Sequence, residues 1–223
     1  MPGVSQKPVS TLESPSCDGV LPPSLRRDLA DINRQYLDLG LDPGLQDDPR
    51  FGWSPAVRRC LAGIDPSSRA RIAASPFAFF DLVLPASLPD PALDRVEDGD
   101  RGLQHDVLPG RLASFAHQVA FLARQLVITS PLASELVLGL SACAQSLLAE
   151  ARPSEVAELA LRPGLICPRW PAHERFWSVL SHAARDGSPV ALQWAHCLGL
   201  CLFGARDFAS PATRPRARRQ LRR

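Results

Sequence analysis

Residues 51–76, FGWSPAVRRCLAGIDPSSRARIAASP, return 87 positions later as residues 138–163, LGLSACAQSLLAEARPSEVAELALRP. Extended without a gap over Phe51–Leu82 against Leu138–Arg169, this register keeps nine identities in 32 positions: Gly52, Ser54, Leu61, Ala62, Pro66, Ser67, Ala70, Ala73 and Pro76 with their partners. Unrelated chains of ordinary composition match at roughly one position in twelve, so the chain reads as a duplicated module. Each copy encodes two short helices. Ser54-Pro55 and Asp65-Pro66 each set a capping oxygen ahead of a helix-starting proline, while Gly63 and then Ser75-Pro76 end the helices. The second copy predicts the same pair over Ser141 to Glu150 and Pro153 to Leu161. Two such helices across a turn of three or four residues have the outline of a helix-turn-helix unit.

Working outward, each pair follows an amphipathic helix. Leu25, Leu29, Ile32, Tyr36 and Leu39 step by four, three, four and three from a start capped by Ser24 to an end at Gly40, Pro43 and Gly44. Leu112, Phe115, Val119, Leu122 and Leu126 draw a comparable stripe before Pro131. Stripes of this width zip against another helix. Two more helices are predicted after the second copy, over Ala172 to Ala184 and over Pro189 to Phe203 with Ser188 as cap. The last, with Val190, Leu192, Trp194, Leu198, Cys201, Leu202 and Phe203, is apolar around most of its circumference and calls for cover by a neighbouring element or another subunit. The expected fold class is all-α, with two helical modules in tandem. They comprise a flexible arm at 1–21, a first module at 22–85, a Pro-rich acidic linker at 86–110, a second module at 111–205 and an arginine tail at 206–223.

With 45% hydrophobic and 22% charged residues the chain has a globular composition. No apolar run reaches the ~18 residues of a membrane helix, and no secretory signal opens it, so the expected setting is the cytoplasm. Its six cysteines are then free thiols; their spacing offers no zinc set, and no metal or cofactor is expected. Net charge divides unevenly. Arg214, Arg216, Arg218, Arg219, Arg222 and Arg223 crowd the last ten residues, leaving 19 bases against 23 acids in the body.

Enzyme signatures are weak. Ser54 and Ser141 precede helices outside any G-x-S-x-G setting, GLDPG from Gly40 lacks the lysine and spacing of a phosphate loop, and the adjacent His196 and Cys197 point in different directions on a helix. Catalysis is not expected. Trp53, Trp170, Trp177 and Trp194 suit a core or subunit interface. Nucleic acid has two candidate contacts. The tail arginines suit sequence-blind phosphate neutralisation, against the alternative of a solubilising end. In the short helices the first copy carries Arg58, Arg59, Arg69 and Arg71 where the second has Gln145, Ser146, Val156 and Glu158, with Glu155 beside them. Phosphate rejects glutamate, so the first copy is the better candidate for DNA, against the alternative of a solvated helix face.

DINRQYLDLG from Asp31, and LGLSACAQSLLAEARPSEVAELALRPGLIC from Leu138 with the helices after it, resemble the flagellar transcriptional regulator FlhD. The family shows an opening helix with a DIN..YL segment, an LGI or LGL step into a short helix, a second short helix rich in ELA or KLA, a cysteine-bearing strand or turn, and closing helices. Residues 111–205 cover nearly the length of such a protein and residues 24–85 its first half. The resemblance implies a helical, dimerising regulator that works with the protein FlhC on promoter DNA to control flagellar genes. The implied interface is Leu25, Leu29, Ile32, Tyr36, Leu39, Val119, Leu126, Trp194, Leu198 and Cys167, Cys167 falling where family members have a cysteine near the dimer interface. Family members carry one module per chain; two modules here imply self-association or an intramolecular imitation of the dimer. The alternative is an interaction protein without DNA affinity, an adaptor or antagonist of the FlhC-type partner.

Overall fold

The computed structural model describes residues 21–85, 110–162 and 164–208; the N-terminal arm to residue 20, residues 86–109 and the arginine tail lie outside the described residues. Proline sets most of the helix starts, because its fixed φ suits the first turn and its missing N–H is one the helix leaves unbonded there. Pro23 opens α1 (Pro23–Gly40), Pro55 opens α2 (Pro55–Ala62) and Pro66 opens α3 (Pro66–Ala73). After strand β1 (Phe80–Leu82) come α4 (Gly110–Thr129), α5 (Pro131–Leu138), α6 (Ala142–Glu150) and α7 (Pro153–Ala160). Strand β2 (Ile166–Pro168) and the helices α8 (Glu174–Asp186) and α9 (Pro189–Phe208) complete the order.

The 87-residue repeat survives as geometry. Helices α3 and α7 have bounds that differ by 87 at both ends, and the caps of α2 and α6 match: Ser54 Oγ accepts the Val57 N–H and Ser141 Oγ the Ala144 N–H, each at 3.3 Å. At the next cap the copies diverge. Asp65 accepts the N–H groups of Ser67 and Ser68 at 2.9 Å, whereas Arg152 in its place has its own N–H bonded by Glu155 at 2.6 Å. Both devices satisfy donors that a helix start orphans; Glu155 thereby acquires a structural task.

The two repeats face each other. Helix α1 packs on α4, α3 lies against α1, and α6 and α7 lie against α4. The strands pair antiparallel with Asp81 opposite Cys167 at the centre, flanked by Phe80↔Pro168 and Leu82↔Ile166. Cross-contacts are reciprocal: the short turn of helix Pro49–Phe51 touches β2, and α5 touches β1. The result is a pseudo-two-fold pair inside one chain, and the buried residues of both repeats join in a single cluster. Helices α8 and α9, which follow the second repeat, cross over so that α8 covers α2 and α3 of the first, with α9 packed on α8.

Polar side chains lock the segments between helices. Asn33, fully buried on α1, donates to Ala73 O at 3.1 Å and Phe77 O at 2.9 Å and accepts the Phe79 N–H at 3.3 Å. Tyr36, one turn on, donates to Arg50 O at 2.9 Å and has the rings of Phe51, Trp53, Phe80 and Phe115 around it. Burial pushes its hydroxyl pKa up, which keeps it a donor. The last residue of α1 is glycine, Gly40, where a Cβ would lie 2.5 Å from the Trp53 ring.

The structure is mostly helical, and the two-stranded sheet is the addition to the all-α expectation. Ser24 is not a cap: α1 begins at Pro23 after Pro22, without a side-chain bond. Helix α5 is unannounced by the stripe that precedes it, with Ser130 as its cap. Helix α8 starts two residues later than expected and runs to Asp186, where Gly187 adopts φ 72°.

Replacing Asn33 by Ala strands two carbonyls and one N–H in the core. We expect a loss of about 2–3 kcal/mol in urea unfolding, with a loss below about 0.5 kcal/mol for the exposed neighbour Arg34→Ala.

Candidate functional site

The arginines of the first short-helix pair do not form an open basic face. Arg58 donates to Trp53 O at 3.3 Å and Phe51 O at 2.9 Å, and also to Gln46 O. Arg69 is ion-paired with Asp38 at 2.9 Å and reaches Ile64 O. Arg71 donates through Nε to Ala184 O in the last turn of α8 at 2.6 Å and through Nη2 to Ser68 Oγ. There it serves as a cation at the negative end of a helix. Arg59 is exposed on α2. Three of the four DNA candidates are thus engaged in holding the fold, and only Arg59 remains turned to solvent among them. Arg214, Arg216, Arg218, Arg219, Arg222 and Arg223 lie outside the described residues.

The interface candidates split in the same way. Leu25, Leu29, Ile32, Tyr36, Leu39, Val119 and Leu126 are at most 5% exposed, inside this chain's own core, so these side chains contribute no free surface to a second molecule. Cys167 faces Asp81 across the β1–β2 ladder. Burial, with the Asp81 charge added, pushes its thiol pKa up, away from reactive thiolate. On α9, Leu198 is half-buried and Trp194 is 72% exposed. Val190, Trp194, Cys197 and Cys201 share one exposed stripe at helical spacing.

Chemistry-bearing groups are sparse. Among the described residues no three His, Cys, Asp or Glu side chains gather as a metal set. One pair has no local signature: His196 Nε2 lies 3.2 Å from Ser75 Oγ, beside the Phe77 ring. Ser75 already donates its proton to Ile72 O at 2.6 Å, so the imidazole N–H is the donor and the serine is not activated as a nucleophile. This pair fastens α9 to the end of α3. A groove of about 690 Å³ runs between α1 and α4, with Asp28, Asp31, Gln35, Phe121 and Gln125 along it; Gln35 spans to Gln118 at 2.8 Å. Its lining mixes these polar groups with Leu25, Ile32 and Leu122. Among the described residues no single helix is long and apolar enough to cross a membrane, while the pair α5–α6, bent by 119°, passes that test jointly on length and composition.

Comparison with protein-family models, with curated proteins and with solved structures finds no match to this chain.

Two outcomes follow from the arginines and from His196. Arg71→Ala is expected to cost about 1–2 kcal/mol of stability through the stranded α8 carbonyl, and Arg59→Ala less than about 0.5 kcal/mol, both read by urea unfolding. Burial holds the His196 pKa below its unfolded value of 6.5. The unfolded chain therefore takes up the proton first, and the histidine's contribution is intact above 6.5 and is lost as the pH falls through the folded value. Asp65, held low by hydrogen bonds from Ser67 and Ser68, titrates below its usual 3.8. Asp48 does the same: burial opposes ionisation there, but the Arg50 hydrogen bonds outweigh it. Stability should accordingly begin to decline as the pH falls below 6.5, and His196→Gln should flatten that first part of the decline in denaturation midpoints.

Proposed function

We propose that this chain is a transcriptional regulator of the FlhD type, in which both modules of a dimerising regulator are fused, controlling flagellar genes together with an FlhC-like partner and promoter DNA. The observation that carries the reading is the pseudo-two-fold pairing of the repeats through α1–α4 and β1–β2. A family that works as a dimer needs such a pair, and one chain here supplies both halves. The DIN..YL segment adds support through Asn33 and Tyr36, whose side chains organise the first repeat. DNA contact falls to the tail arginines and Arg59, or to the partner, since Arg58, Arg69 and Arg71 have intramolecular bonds.

That engagement of three arginines favours a second reading, an adaptor or antagonist that occupies the FlhC-type protein without touching DNA. Co-expression with an FlhC-like protein and pull-down tests the shared premise: absence of a complex overturns the flagellar reading in both forms. Promoter-fragment binding by the complex at two salt concentrations then separates them. For the regulator, deletion of residues 211–223 should reduce the slope of log affinity against log salt by up to about five. For the adaptor, no promoter binding appears with or without the tail.

A further inference from the structure

The pseudo-symmetry leaves one face unequal. On the first repeat, α8 lies across α2 and α3: Cys60 Sγ approaches Ser181 Oγ at 3.2 Å, Arg185 donates to Gly63 O at 3.1 Å, and Arg71 holds the last turn at Ala184 O. Trp177, Leu180, Ser181 and Ala184 of α8 are buried in that packing. Shifted by 87 residues, Ala56, Cys60, Gly63 and Arg71 become Cys143, Leu147, Glu150 and Glu158 on α6 and α7. Among the described residues the main neighbour of α6 and α7 is α4, and no helix packs on them as α8 packs on the first repeat.

Sequence and burial disagree on α6. Its sequence, ACAQSLLAE, is more apolar than PAVRRCLA of α2, yet only Leu148 is buried, whereas α2 buries Val57 and Leu61. Leu147 is half-buried, Cys143 exposed, and Leu161 beyond α7 is 51% exposed. The side of α6 that corresponds to the covered side of α2 therefore carries the exposed Cys143, the half-buried Leu147 and, at its end, the exposed Glu150.

Charge selects what covers it. The C-terminus of α8 meets Arg71, a cation that suits the negative end of a helix. In the second repeat Glu158 stands in that place, with Glu150 where the Gly63 carbonyl accepts Arg185. A bare helix C-terminus is repelled there, and one ending in arginine or lysine is attracted. The chain's own residues 86–109 carry Glu97, Asp98 and Asp100, the wrong sign for this face, and residues 211–223 have the right sign but only Ala212, Ala217 and Leu221 as apolar side chains besides prolines, too few for the stripe that α8 buries. Its own α8 is already held on α2 and α3.

We infer that the α6–α7 face is a docking site for an amphipathic helix of a partner protein, with apolar side chains at the spacing of Trp177, Leu180 and Ala184 and basic residues in its last turn. The fold carries this inference independently of the flagellar reading.

A labelled peptide of residues 172–188 carrying H182R and D186R mimics that occupant. Fluorescence anisotropy with the full chain should show saturable one-to-one binding that weakens at least ten-fold in the Glu150→Arg/Glu158→Arg double variant and with Leu147→Glu. The same peptide carrying R185E in addition should bind at least ten-fold more weakly to the unaltered chain. Both sets of substitutions fall on solvent-facing or half-buried positions, and matching unfolding midpoints certify the fold; if Leu147→Glu unfolds, the double variant decides alone. No binding by the basic peptide, or binding indifferent to the Glu150/Glu158 reversal, overturns the inference, because the peptide would then have no site there or would be displacing α8 from α2 and α3.

Discussion

One buried guanidinium ties the molecule together. Arg169, fully buried just after β2, donates to the Asp81 carboxylate of β1 at 2.6 Å and to Val137 O of α5 at 3.0 Å, and its own backbone N–H goes to Phe79 O. The rings of Trp170 and Phe203 lie against its charge at 5.6 and 4.9 Å. A buried charge is tolerable only when every partner is in place, and the partners here come from both repeats and from α9. Val137 O also accepts the Ala78 N–H, so one carbonyl at the end of α5 joins the first repeat to Arg169 of the second. Gly139, at φ 69°, closes α5 beside this cluster; a Cβ there would come within 3.0 Å of Phe203 and 3.4 Å of Asp81 and Arg169.

Around that centre the closing helices act as a clasp. Helix α8 belongs to the second repeat by sequence and to the first by contact, and an exchange of hydrogen bonds fixes it: Arg71 reaches across to α8 while Arg185 reaches back to the end of α2. Trp177 adds its indole N–H to Trp170 O at 2.8 Å. Helix α9 then seats Gly199 on the Phe77 ring, where a Cβ would lie at 2.5 Å, and buries Ala195 while leaving Trp194 outward. The first repeat is covered by the clasp, and the second presents α6 and α7 outward.

Much of this was legible in local sequence. Ser54-Pro55, Asp65-Pro66 and Ser141 announce their helices because capping acts over three residues, and the structure keeps each one. Ser130-Pro131 is the same device, but it follows the α4 stripe directly and reads as that helix's end; it is also the start of α5. Long-range relations were not legible. Whether Leu25 to Leu39 met a second chain or the stripe from Leu112 to Leu126 depends on chain geometry that periodicity does not encode. The arginines of α2 and α3 read as a charged face because their acceptors, main-chain oxygens of residues 46, 51, 53, 64 and 184, are invisible in sequence. Arg169 has no local signature at all; its burial follows from β1 arriving 88 residues earlier.

The Asp81–Arg169 pair has a consequence for heredity. By the 87-residue register the counterpart of Asp81 is Pro168 and that of Arg169 is Leu82, whereas in a dimer of identical chains an ion pair across the two halves must be made twice or not at all. Fusion removes that rule. The two halves are separate stretches of one gene, free to place a carboxylate on one half and, on the other, the arginine that answers it. A single asymmetric ion pair then defines which half is which, and each half can drift toward its own task without its mirror image following.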